Sequence, residues 1–84
     1  MKEYKCRTEC LDDCLAIIAS LQPVNAQIKA LVGHEYLPDR ELIFSYAFDL
    51  EYVRKAIIGN TDCHVAAETV ALKEDYTGKR ISLD

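Results

Sequence analysis

The chain has 84 residues, half of them apolar and 29% charged, with a formal net charge of −4. That length sets one domain, 1–84, with a single core, and that composition is that of a folded globular protein rather than a disordered one. The charge is mildly acidic and evenly spread over the two halves, so no basic stripe exists to neutralise phosphates and nucleic acid is not an expected partner.

Met1 to Arg7 is charged and lacks the apolar region of a secretory signal. No apolar run reaches the length of a membrane span, so no membrane association is expected and the expected location is cytoplasmic. In a reducing compartment the four cysteines are expected as thiols or metal ligands rather than disulfides.

Pro23, Gly33, Pro38, Gly59 and Gly78 divide the chain into four segments. The first reads as a helix capped by Thr8 and ended by Pro23, with Leu11, Cys14, Leu15, Ile18 and Leu21 as its buried stripe. Val24 to Val32 reads as a short second helix stopped by Gly33. Asp39 to Ile58 reads as one long helix, because Ile43, Tyr46, Leu50, Val53 and Ile57 keep a 3-4-3-4 spacing. A competing pattern runs through the same residues. Leu42, Phe44, Tyr46 and Phe48 alternate with Glu41, Ile43, Ser45 and Ala47, as in a strand, with Asp49 then capping a shorter helix from Leu50 to Ile58.

The fourth segment is capped by Asn60, Thr61 or Asp62 and carries Val65, Thr69, Leu72 and Tyr76 at helical spacing up to Gly78. The tail from Lys79 to Asp84 is charged. The expected fold is therefore mainly α, a compact bundle of about four helices. Its alternative is α+β, with a strand at about 41–48 and a short C-terminal strand.

Cys6, Cys10 and Cys14 recur every four residues, and Cys63 stands beside His64. These five residues are the candidates for a metal-stabilised or thiol-active domain. Geometry narrows them. On a continuous helix Cys6 and Cys14 would stand about 12 Å apart along the axis, whereas sulfurs on one tetrahedral zinc lie within about 4 Å of each other. Cys10 and Cys14 can share an ion only if Cys6 folds back and Cys63 or His64 joins from another segment. A disulfide within the helix is disfavoured, since Cβ atoms four residues apart are separated by about 5–6 Å and a disulfide needs about 3.8 Å. A bridge from Cys10 or Cys14 to Cys63 stays open. The plainer reading is buried thiols serving as small hydrophobes.

His64 and Glu68 form an i, i+4 pair that reads as a solvated helix contact, and His34 follows the expected helix stop at Gly33. No phosphate loop, nucleophile elbow or His-Glu zinc motif occurs, so no catalytic residue and no cofactor is assigned. A helix-turn-helix fits the helices loosely and the charge not at all.

On the long helix Phe48 and Tyr52 fall opposite the buried stripe. A helix apolar on two sides is central to a core or shared with a partner, and Phe and Tyr are typical interface anchors. The expected function is a small non-enzymatic interaction or regulatory domain. Phe48 and Tyr52 are its partner-binding residues, and a homodimer is the simplest form of a protein partner.

Overall fold

The computed structural model describes residues 1–22 and 30–79. Among these, the elements in order are β1 (Lys2–Arg7), α1 (Leu11–Leu21), β2 (Leu31–Tyr36), β3 (Glu41–Tyr46), α2 (Leu50–Asn60), α3 (His64–Thr69), β4 (Ala71–Leu72) and a 3₁₀ turn, Lys73–Asp75. The strands form one sheet in the order β2-β3-β1-β4, with every neighbouring pair antiparallel. β3 thus lies between β1 and β2, and β1 lies between β3 and β4. This is the doubled split-βαβ, or ferredoxin-like, arrangement. The chain is α+β, and the expected four-helix bundle is overturned.

Residues 41–46 decide the difference. Leu42, Phe44 and Tyr46 are buried and alternate with half-buried Glu41, Ile43 and Ser45. In β1, Tyr4 and Cys6 are buried between charged neighbours. The register sets Tyr4 opposite Phe44 and Cys6 opposite Leu42, so both strands present their apolar side chains to the same face. A helix through 43–57 would lose these pairs. The period changes at Asp49, whose carboxylate accepts the Tyr52 backbone N–H at 3.0 Å and opens α2. From there the helical spacing holds, and Val53 and Ile57 are buried.

Pro38 and Asp39 do not start a helix. They form the β2–β3 turn, in which the Arg40 N–H donates to the Leu37 carbonyl at 3.1 Å and Arg40 takes a left-handed φ of 64°. Thr8 secures this turn instead of capping α1. Its N–H and its hydroxyl both donate to the Arg40 carbonyl, at 2.8 and 2.7 Å. α1 therefore begins later, after Cys10, and buries Cys14, Ile17 and Leu21, while Leu11 and Leu15 are exposed.

Most of the expected second helix lies outside the described residues. Its described end, Leu31 and Val32, belongs to β2, and Gly33 lies inside that strand beside a register shift. The expected fourth helix is cut to six residues. The Thr69 hydroxyl donates to the Val65 carbonyl at 2.7 Å and accepts the Arg7 N–H at 2.9 Å, which brings the chain to the β1 edge. Ala71 and Leu72 then pair with Lys5 and Tyr4 as β4, so Leu72 and Tyr76 are not on that helix. The tail beyond Lys79 lies outside the described residues.

The core fills the layer between the helices and one sheet face. Tyr4, Cys6, Leu42, Phe44 and Tyr46 from the sheet meet Cys14, Ile17 and Leu21 of α1, Val53 and Ile57 of α2, and Ala66 and Ala67 of α3. The other face of β1 and β3 is polar apart from Ile43. There Glu41 pairs with Lys5 at 3.4 Å and Arg7 at 3.5 Å and accepts the Tyr76 hydroxyl, while the Lys5 ammonium lies 4.9 Å from the Tyr76 ring centre.

Candidate functional site

A run of aromatic rings leads from the core to the surface where β3 passes into α2. Tyr4 stacks on Phe44 at 5.6 Å between ring centres, and Phe44 meets Tyr46 edge-on at 6.4 Å. Tyr46 then contacts both Phe48 at 5.6 Å and Tyr52 at 6.3 Å, and those two rings are 4.7 Å apart. Tyr4, Phe44 and Tyr46 are buried, whereas Phe48 is 38% and Tyr52 51% exposed.

Helical spacing predicts Phe48 and Tyr52 on one helix. Phe48 instead lies in the β3–α2 turn, and only Tyr52 is on α2. Their separation of 4.7 Å has a different origin. The Tyr4 hydroxyl donates to the Phe48 carbonyl at 2.7 Å, which ties the turn to β1. The Asp49 cap fixes the first turn of α2 and hence the position of Tyr52. The exposed rings are thus held by side-chain hydrogen bonds to their backbone on one side and a buried ring, Tyr46, on the other. Burial raises the Tyr46 hydroxyl pKa, with Tyr52 adding to the effect, and burial followed by the nearby Asp49 carboxylate raises that of Tyr4. Both stay neutral at physiological pH and keep their donor protons.

The surface continues along α2. Glu51, Lys55, Ile58 and Gly59 are exposed beside Tyr52, with Ala56 half-buried. Glu51 and Lys55 pair at 3.0 Å, and the space beside Gly59 is open. Ala56 and Gly59, one and two turns beyond Tyr52, are small residues on the same side of α2.

The cysteines are distributed differently from the expected helix edge. Cys6 is buried in β1, Cys14 is buried on α1, and Cys63 is buried at the N-cap of α3. Cys10 is exposed at the N-cap of α1, with extended backbone that takes it off the helical face it was expected to share with Cys14. The Cys63 sulfur lies 3.9 Å from the Asp13 carbonyl oxygen. Burial pushes the Cys6 thiol up to about 12, and the Cys14, Cys63 and Glu41 side chains nearby add to that. Three elements therefore gather the sulfurs that spacing alone kept apart. His64 is exposed on the first turn of α3, and His34 is exposed in β2. Among the described residues no group of three or more His, Cys, Asp and Glu side chains is placed to hold a metal ion.

An open depression at the β1–β4 edge is lined by Met1, Lys2, Glu3, Leu72, Lys73 and Glu74. Its polar side chains include the Lys73–Glu3 pair at 3.7 Å and no nucleophile with an adjacent base. Among the described residues no helix is long and apolar enough to cross a membrane.

Alternation in β1 and β3 is the signal that would have revealed Tyr4, Phe44 and Tyr46 as the support of the exposed pair. No family model, curated protein or solved structure matches the chain.

Proposed function

We propose that this domain is a small, non-enzymatic, cytoplasmic interaction module that associates through Phe48, Tyr52 and the exposed side of α2. Its partner is a second copy of the chain. The observation that carries this reading is the aromatic run. Two exposed rings, 4.7 Å apart, rest on a buried ring that continues into the core. Aromatic side chains held in place this way lose little conformational entropy on binding, which is the property of interface anchors.

The charges beside Tyr52 favour a second copy. Glu51 and Lys55 flank it with opposite signs, one turn apart. When two α2 helices meet antiparallel about a twofold axis, Glu51 of each faces Lys55 of the other, so the surface is complementary to itself.

Light scattering across a concentration series tests the reading. A mass that rises to twice that of the chain, with Phe48→Asp/Tyr52→Asp remaining folded and monomeric, supports it. A strictly monomeric parent chain, or a double variant that dimerises equally well, removes it.

A further inference from the structure

Two of the three helix N-caps among the described residues are cysteines that cap nothing. Asp49 at the start of α2 accepts a backbone N–H, as an N-cap should. Cys10 at the start of α1 and Cys63 at the start of α3 make no side-chain cap hydrogen bond. Serine has nearly the same shape and caps far better, so capping does not explain sulfur at either position. Cys63 also packs against the helix that Cys10 opens. The Cys63 sulfur rests against the first turn of α1, 3.9 Å from the Asp13 carbonyl, and the Cys10 carbonyl opens that same turn by accepting the Cys14 N–H at 3.4 Å. One partner, Cys10, is exposed to solvent, and the other, Cys63, is at the rim of the core.

We propose that Cys10 and Cys63 are a redox-responsive pair, closed to a disulfide by a hydroperoxide and reopened by a thiol reductant. The inference is independent of the aromatic surface. The Cys10 sulfur attacks a peroxide oxygen, the O–O bond breaks, and Cys10 becomes a sulfenic acid as water leaves (an alcohol, if the oxidant is an alkyl hydroperoxide). The Cys63 sulfur then attacks the Cys10 sulfur, the S–O bond breaks, and a second water leaves. The two thiols lose two electrons and two protons, and the peroxide gains them.

Cys63 is a better resolving thiol than the alternatives. Cys14 is on the buried side of α1, and Cys6 is inside β1 behind the helix layer. Burial raises the Cys63 thiol pKa, the Thr61 hydroxyl opposes that rise, and Asp13 and Cys10 add to it. Closure therefore runs faster as pH increases, because the resolving sulfur reacts as thiolate.

The test treats the folded, reduced protein with hydrogen peroxide, blocks remaining thiols, and maps linked peptides by mass spectrometry. The expected product is an intramolecular Cys10–Cys63 bridge that dithiothreitol reverses. It should form in the parent chain and in Cys14→Ala, and be lost in Cys10→Ser and Cys63→Ser. Serine at position 10 is exposed and a better cap, so that variant keeps its fold and makes the loss readable. A bridge from Cys63 to Cys14 that survives Cys10→Ser overturns the proposal. So does a product joined only between chains, or sulfinic acid at Cys10 with Cys63 still free.

Discussion

Glu41→Gln isolates the polar cluster that pins the chain after β4 onto the outer sheet face. Glu41 is 12% exposed and accepts the Tyr76 hydroxyl while pairing with Lys5 and Arg7. Glutamine keeps the shape and removes the charge. The bond from Tyr76 falls from a charge-assisted one to a neutral one, a loss of about 1 kcal/mol. Each ion pair adds about 0–1 kcal/mol, and the Arg7 pair belongs at the low end because its side chain is 46% exposed. The expected destabilisation is about 1–2 kcal/mol near neutral pH, or roughly 4–8 °C in Tm per kcal/mol for a domain of this size. The Tyr76 hydrogen bond, then Lys5 and Arg7, hold the Glu41 carboxyl below its ordinary pKa against an opposing effect of burial. A carboxyl with a lowered folded pKa stabilises fully above its unfolded value of about 4.3. It loses that contribution as pH falls through the folded value. Thermal melts of both proteins from neutral to acid pH should therefore start to converge as pH drops below about 4.3 and meet only below the lower, folded value. Equal stability at neutral pH, or a deficit that stays constant into acid, refutes the reasoning.

Two further perturbations probe the helix layer and the thiols. Ile17→Ala, at a fully buried position of α1, should cost about 2–5 kcal/mol, whereas Leu15→Ala, on the exposed side, should stay within about 0.5 kcal/mol. Urea unfolding of both variants checks this, and equal losses would mean that α1 is rotated from the orientation described. Iodoacetamide near pH 8 should label exposed Cys10 first and leave Cys6 unlabelled in the folded protein. With its thiol pushed up to about 12, Cys6 holds about one part in ten thousand as thiolate at that pH. Labelling of Cys6 as fast as Cys10, read by timed mass spectrometry, contradicts the burial.

The sequence carried two periods through residues 41–57, and only long-range pairing selects between them. Leu42, Phe44 and Tyr46 satisfy the strand period, while Tyr46, Leu50, Val53 and Ile57 satisfy the helical one. The strand wins because Tyr4 and Cys6 stand opposite Phe44 and Leu42 from a segment nearly forty residues earlier. That partner strand was legible as Tyr4 and Cys6 alternating with charged residues, but its charge also suits an exposed terminus. β2 is an edge strand with exposed residues from Val32 to Glu35, so it carries no alternation to detect. Asp49 as the start of α2 was legible in the competing strand reading, since a cap is a local signal. Phe48 and Tyr52 do not share the helical face their spacing predicts, yet the turn before α2 brings their rings into contact by another route. The approach of Cys63 to α1 could not be read, because nothing local in a sequence encodes where two helix starts meet.

The solution mass of the parent chain and of Phe48→Asp/Tyr52→Asp, measured side by side by light scattering with circular dichroism on the same samples, bears most directly on the interaction surface. Each anchor of an interface contributes about 2 kcal/mol or more, so the double substitution should weaken association by at least about 30-fold per residue. The expected result is a dimeric parent and a folded monomeric variant. A monomeric parent at every concentration, or a variant that loses its fold together with its rings, would contradict the assignment of Phe48 and Tyr52 to a partner.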